Sequence, residues 1–287
     1  MKILIIGGTR FIGPQILKQC SNGEHEVTVF NRNTRSDFVY PDNVKLIRGD
    51  RNNKRDCASI SQSYFDVIID MCAYNSQHIH TIQNIIGNSK KYIFISTGAV
   101  YKARVNYLAK ESDLVTLDAH NTDYVNNKII AERKIQSLSQ KWSNIEFLIL
   151  RPAYVLGREN PFYREQYFFD RILQDKVLSI PPHSNHRNSF VDVRDLADLI
   201  YKCIDHPVSS NLTVLNVANS TPVTFSDFAK RCSNILGRTC KIEYASEPNQ
   251  FPFPYEAIAL DNTKAKIFLG RDFESLQDSL TFVSRTI

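Results

Sequence analysis

Short runs that are apolar at nearly every position, KILII, EVTVF, VKLI, DVIID, YIFI and FLIL, recur through residues 1–151 with polar or amphipathic stretches between them. A strand apolar on both faces has to be covered on both faces. Helices that cross over between such strands cover them and make them parallel. The pattern therefore predicts an α/β protein with a doubly wound parallel sheet. PQILKQC, the polar stretch up to Tyr64 and the stretch from Gln77 to Ile86 supply the early helices. A long helix is predicted from about Tyr124 to Gln140, where Ile129, Ile130, Ile135 and Leu138 recur at helical spacing and Glu132 and Lys134 face outward.

Pro152 ends the last of these runs, and the texture then changes. Residues 153–188 are rich in Phe, Tyr, Arg, Pro and His, with a short helical stretch near Gln166 to Gln174. FVDVRDLADLIYKCI reads as a strand entering a helix, LTVLNVA as a strand, and FSDFAKRCSNILG as a helix. The expected division is a nucleotide-binding domain over 1–151, to which 187–218 return, and a smaller interleaved region made of 152–186 and 219–287.

The bulk numbers exclude several classes. With 43% hydrophobic and 23% charged residues among 287, the chain can bury a large core and is not disordered. The net charge of +5 comes from scattered basic residues, so a general nucleic-acid surface is not expected. The run Ile3 to Ile6 is too short for a signal segment, and no run is long enough to span a bilayer. Six cysteines without CxxC or Cys/His ligand spacing point to reduced thiols, no metal site and a cytoplasmic setting.

Gly7, Gly8 and Gly13 follow the first run directly and open a helix. Such glycines turn a strand sharply into a helix, so that N–H groups at the helix start face a pyrophosphate. Gly7, Thr9, Arg10, Phe11, Ile12 and Gly13 are the candidate cofactor loop, with an ordinary tight turn as the plain alternative. Arg10 stands where a further glycine is usual. The second run ends in Asn31, Arg32, Asn33, Thr34 and Arg35 rather than an acid. An acid there holds the ribose of NAD, whereas arginine favours the 2′-phosphate of NADP. Arg32, with Arg35 or Arg10, points to NADP(H) as the preferred cofactor and NAD(H) as the alternative; solvated loop charges would read the same.

Among thirteen tyrosines, Tyr124 alone has a lysine four residues later, Lys128. Positions i and i+4 share a helix face, which sets an ammonium beside a phenol. Ser96 and Thr97 end a predicted strand, and strand ends are where parallel sheets bind ligands.

Taken in order, GGTRFIG, RGD at Arg48 to Asp50, FISTGAVY, YVNNK, LRPAYVLG, FVDVRDLADLI, NVANS and LDNTKAKIFLG resemble the extended short-chain dehydrogenase/reductases, the NAD(P)-dependent epimerase/dehydratase family of nucleotide-sugar enzymes. The resemblance covers nearly the whole chain. It implies a Rossmann-type fold, a homodimer and a nucleotide-sugar substrate. The implied catalytic residues are Thr97, Tyr124 and Lys128. Asn31, Arg32, Arg35, Asp50 and Arg51 join the loop as cofactor residues, and Lys128 holds the nicotinamide ribose. Thr97, Tyr163, Arg187 and Asn188 are the implied substrate residues. Phe162, Arg164 and Tyr167 either help them or form an aromatic core, and His183 and His186 read as loop histidines. A free phenol titrates near 10, so proton transfer by Tyr124 at neutral pH needs about 4 kcal/mol in favour of the phenolate.

Two departures narrow the activity. Gly98 and Ala99 stand where the family's dehydratases carry an Asp-Glu pair, so elimination is not expected. The GGTRF start is that of atypical members, including chloroplast stem-loop-binding proteins, some of which bind RNA. The expected activity is reduction of a 4-keto-6-deoxyhexose at C4 on a nucleotide. A 4-epimerase is the alternative within the class, and a non-catalytic RNA- or nucleotide-binding protein the alternative outside it. Neither a membrane nor a nucleic acid is an expected partner.

Overall fold

A computed structural model defines the fold and describes residues 1–102, 104, 106–182, 186–207, 210–246, 250–254 and 257–285. The first apolar run is β1 (Lys2–Ile6), which turns at the glycines into α1 (Ile12–Asn22). There follow β2 (Glu26–Asn31), β3 (Val44–Arg48), α2 (Lys54–Ser61), β4 (Phe65–Asp70), α3 (Ser76–Thr81), α4 (Gln83–Gly87), β5 (Ser89–Ile95), α5 (Asp123–Lys141) and β6 (Glu146–Pro152). The remainder is β7 (Tyr154–Leu156), α6 (Arg164–Leu173), β8 (Leu178–Ile180), β9 (Phe190–Asp192), α7 (Val193–Asp205), β10 (Leu212–Val217), α8 (Phe225–Leu236), β11 (Ile242–Tyr244), α9 (Thr263–Leu269) and α10 (Leu276–Ser284).

Seven strands form one sheet in the order β3-β2-β1-β4-β5-β6-β10. The pairs from β3 through to β6 are parallel. β6 and β10 also advance together, from the Phe147–Asn211 bond to the Ala153–Val217 bond. The all-apolar runs are thereby explained, since Ile3, Leu4 and Ile5 of β1 and Ile68 and Ile69 of β4 are completely buried. Strand order reverses between β1 and β4. At that switch the connections diverge, and the carboxyl ends border the crevice where such sheets bind ligands.

The chain clusters into two units. One comprises Met1–Val100, Leu114–Arg151 and Ala197–Leu215; the other comprises Tyr101–Asp113, Pro152–Leu196 and Asn216–Ile287. This differs from the expected division at 101–113, 187–196 and 216–218. Ala109 bridges Leu260, and β9 pairs with β7, which draws both segments into the second unit. Phe168, Phe190, Phe228 and Phe253 pack ring against ring in that unit. Among the described residues no helix is long and apolar enough to cross a membrane.

In α5, Thr122 caps the start by accepting from the Val125 N–H, and two expectations reverse. Ile130 is part exposed, while Glu132 turns inward. The reason is ionic: Arg151 of β6 grips Glu132 through Nε (3.1 Å) and Nη2 (2.5 Å), and the Ser96 hydroxyl donates to the same carboxylate. An ionised acid buried without such a partner would be costly.

Candidate active site

The loop after β1 is built on backbone that only glycine adopts readily. Gly7 and Gly8 have φ of +97° and +88°. At Gly13 the constraint is space, because a Cβ would stand 2.3 Å from the Gly8 carbonyl carbon. That close approach seats α1 directly on the loop. The first turn of α1 has no side-chain cap and no acid; the Gly13 N–H donates to the Arg10 carbonyl and Pro14 has no N–H, so the anion-facing features are the Ile12 N–H and the positive end of the helix. The cradle fits a pyrophosphate. Arg10 is exposed at its rim, and its carbonyl accepts from the Gly13 N–H at 3.0 Å.

At the end of β2, Asn31 is tied back to the loop. Its Nδ2 donates to the Gly7 carbonyl (3.0 Å), and its Oδ1 accepts from the Asn33 N–H (2.7 Å) and the Tyr40 hydroxyl (3.3 Å). Arg35, expected to meet a 2′-phosphate, is engaged inside the protein. Nη1 donates to the Thr9 carbonyl at 3.0 Å, while Nε and Nη2 grip both oxygens of Asp37 at 3.3 and 2.7 Å. The bonds from Arg35 hold the Asp37 carboxyl below its ordinary range. Arg32 is exposed.

Beyond β3, Asp50 accepts from both the N–H and the side-chain amide of Asn52, closing the turn that leads to α2. Arg51, an expected cofactor residue, has its guanidinium buried on partners within the protein. Nη1 and Nη2 bind the two oxygens of Asp70 at 2.6 and 2.9 Å, and Nη2 also donates to the His78 carbonyl at 2.9 Å. Asp70, completely buried at the end of β4, accepts further bonds from the Tyr92 hydroxyl (2.8 Å) and the Cys72 N–H (3.2 Å). Burial pushes its carboxyl up, but the Arg51 guanidinium together with the bonds from Tyr92 and Cys72 outweighs it and the net position is below the ordinary range. The pair fixes the segment after β4, where the His78 ring also accepts from the Tyr74 N–H at 3.1 Å.

That fixed segment receives Lys128. Only 3% exposed, its Nζ donates to the Ala73 carbonyl at 2.8 Å and the Ile95 carbonyl at 2.7 Å, joining the carboxyl ends of β4 and β5. The ammonium lies 4.7 Å from the Phe94 ring, 5.3 Å from Tyr74 and 5.8 Å from Tyr124. Burial lowers its pKa to about 8, with Asp70 pulling the other way. Tyr124, in the first turn of α5, is 46% exposed and lies 6.5 Å from the Tyr74 ring. Thr97 follows β5, and its hydroxyl accepts from the Ala99 N–H (3.2 Å), opening the short 3-10 turn Gly98–Val100 that packs on α5.

Thr97, Tyr124 and Lys128 are therefore gathered at the carboxyl ends of the strands, beside the segment that backs the glycine loop. A Cβ on Gly7 would lie 3.3 Å from the Cys72 sulfur. Asp70, Tyr74, His78 and Glu132 were missed from the sequence. Asp70 did leave a signal, as the acid that ends an otherwise apolar run needs a buried partner. A surface concavity of about 350 Å³ around Tyr64, Asn88 and Lys90 lies at the amino ends of β4 and β5, away from these groups.

Tyr163, Arg187 and Asn188 belong to the second unit. Tyr163 is half exposed and its hydroxyl bonds Asp170. Arg187 is exposed and donates to the Pro222 carbonyl at 3.3 Å. Asn188 is completely buried, with Oδ1 accepting from the Ile258 N–H at 3.1 Å and no partner for Nδ2 among the described residues. Tyr167 is core, its hydroxyl donating to the Ser179 carbonyl. Arg164 lies over the Tyr154, Phe162 and Phe253 rings. His183 falls outside the described residues.

Sheet order, glycine cradle and the Tyr–Lys helix define a dinucleotide-binding α/β protein. The chain belongs to the NAD dependent epimerase/dehydratase family, whose model matches residues 3–87 and 79–218. It is 26% identical to the chloroplast stem-loop binding protein of 41 kDa b of Arabidopsis thaliana, over 94% of this chain and 70% of that one. Its fold is similar to that of UDP-glucose 4-epimerase with UDP-glucose from Thermotoga maritima, with TM-score 0.82, 19% identity, and 99% and 98% of the two chains covered. UDP-glucuronic acid 4-epimerase from Bacillus cereus with UDP-glucuronic acid and NAD is also similar, with TM-score 0.81, 18% identity and full coverage of both chains.

Proposed function

We propose that the chain is an NAD(H)-dependent enzyme that oxidises and re-reduces C4 of a nucleotide-activated sugar, with 4-epimerisation as the net reaction. One observation carries the reading: Lys128 is buried between the Ala73 and Ile95 carbonyls, its ammonium 5.8 Å from the Tyr124 ring. A bound nicotinamide would supply reversible hydride exchange with the sugar C4. The protein's part is to hold and to move a proton. The glycine loop with Thr9, Arg10, Phe11 and Ile12 seats the pyrophosphate, and Asn31 and Asp50 flank the adenosine half. Tyr124 takes the proton of the sugar 4-hydroxyl and gives it back, while Thr97 hydrogen-bonds the same oxygen. Lys128 favours the phenolate, and two of its three N–H donors are spent on carbonyls, which leaves one for the nicotinamide ribose.

Tyr163, Arg187 and Asn188 would meet the nucleotide diphosphate and sugar. UDP-sugars in the similar structures support that substrate class. Gly98 and Ala99 offer no acid or base for elimination. The expected reduction of a 4-keto-6-deoxyhexose rested on arginines choosing NADP(H). Arg32 led that choice, with Arg35 or Arg10 in support; Arg35 is held by Asp37 and Thr9, and a similar structure carries NAD, which together favour epimerisation. The homodimer and cytoplasmic setting belong to the same reading.

The test is to incubate the protein with NAD and a panel of UDP-hexoses and UDP-hexuronic acids deuterated at C4, then to separate the products. The expected result is a C4 epimer that retains its deuterium without net NADH. No epimer from any sugar, together with no NADPH oxidation by nucleotide 4-keto sugars, would remove the enzymatic reading. A second reading, RNA binding without catalysis, is favoured by the Arabidopsis relative that matches 94% of this chain. It predicts RNA affinity that falls steeply with salt in a protein without turnover.

A further inference from the structure

Building on the nicotinamide-dinucleotide reading, we propose that Asp37 is a specificity residue that closes the adenosine-ribose end of the site to a 2′-phosphate, so that this chain takes NAD(H) and rejects NADP(H). In sequence, Arg10, Arg32 and Arg35 look like a phosphate-binding group. In the fold, the segment between β2 and β3 doubles back on the glycine loop and brings the Asp37 carboxylate to Arg35 and into the field of Arg10. Arg35 is the hinge of the arrangement, with Nη1 anchored on the Thr9 carbonyl (3.0 Å) and its fork turned onto Asp37 through Nε (3.3 Å) and Nη2 (2.7 Å).

A planar guanidinium grips a carboxylate and a phosphate with the same donors, so it cannot serve both at once. Arg35 is part-buried, its side chain 26% exposed, and the Thr9 anchor fixes the direction of its fork. Asp37 also feels the positive charge of Arg10, which helps to hold it ionised. A 2′-phosphate, carrying close to two negative charges, would have to displace this carboxylate and then sit beside it. The ribose hydroxyl of NAD needs no such displacement. Asn31 cannot substitute as a phosphate donor, because its two amide N–H donors are spent on the Gly7 carbonyl (3.0 Å) and the Tyr40 hydroxyl (3.2 Å).

The experiment is fluorescence titration of NADH and NADPH against the full chain, at one fixed salt concentration. Three forms are compared: the wild-type protein, Asp37→Asn, and Asp37→Asn combined with Arg35→Ala. Asp37 is exposed and Arg35 part-buried, so circular dichroism of each variant accompanies the titration to confirm the wild-type fold. The wild-type protein is expected to bind NADH more tightly than NADPH. Asp37→Asn is expected to raise NADPH affinity relative to NADH by about tenfold, the size of removing a like charge a few ångströms away near a protein surface. Adding Arg35→Ala abolishes that gain. A wild-type protein that binds both equally, or an Asp37→Asn variant with an unchanged ratio, overturns the proposal while the dinucleotide reading stands. A wild-type protein that binds neither dinucleotide overturns both.

Discussion

The pair Arg51–Asp70 sets the segment on which Lys128 rests, and breaking it has a calculable cost. Arg51→Met would leave the completely buried Asp70 carboxylate with only the Tyr92 hydroxyl and the Cys72 N–H. Asp70→Asn would leave a buried guanidinium whose remaining strong acceptor is the His78 carbonyl at 2.9 Å. Stripping one partner from a buried ion pair costs about 3–5 kcal/mol. The double variant carries neither charge and keeps an amide oxygen for Tyr92, so its cost should fall short of the sum of the singles by about 2 kcal/mol or more. Urea unfolding of the four proteins at pH 7 measures all three differences. Because the Asp70 carboxyl titrates below its ordinary 3.8 in the folded protein, its contribution is present above that value. It is lost as pH falls through the lowered one. The gap between wild type and Asp70→Asn should therefore hold at neutral pH and shrink only in acid, below about pH 4. Additive single costs, or singles of under about 1 kcal/mol, would refute the claim that this pair is a coupled buried charge pair.

Gly13→Ala would set a Cβ 2.3 Å from the Gly8 carbonyl carbon, forcing α1 off the loop. Dinucleotide affinity should fall by more than about tenfold with a loss of about 1–3 kcal/mol of stability, read by titration calorimetry and urea unfolding. Lys128 titrates at about 8 in the folded protein, so it is charged below that pH and neutral above. On the proposed mechanism kcat/KM falls as pH rises through about 8, and Lys128→Arg shifts that limb upward; a flat profile to pH 10 contradicts it. The same lowered value makes charged Lys128 a cost to folding, so stability should climb from about pH 8 towards 10.5 and should not do so in Lys128→Met.

What the sequence disclosed follows from the range of the physics. An apolar run such as KILII reports its own burial, so the sheet and its helices could be read residue by residue. The glycines of the loop, likewise, answer to local backbone and to a helix five residues on. Tyr124 and Lys128 were legible because one helix turn joins them. Ion pairs across elements were not. Arg51 lies in the turn after β3 and Asp70 at the end of β4, so the sequence presents each charge without its partner, and Arg51 in sequence looks like a cofactor residue. Glu132 was placed outward because helical periodicity counts an acid as polar, whereas Arg151, nineteen residues on, makes burial tolerable. Arg35 was close to its partner in sequence, but only the return of its loop to the Thr9 carbonyl fixes the direction of its fork.

The account rests most heavily on Tyr124 as the group that moves the proton. The direct measurement is turnover of the nucleotide sugar by Tyr124→Phe, with dinucleotide binding measured on the same preparation. The account predicts that the variant still binds the dinucleotide while turnover falls by about a hundredfold or more. A Tyr124→Phe protein that epimerises at the full wild-type rate would contradict it.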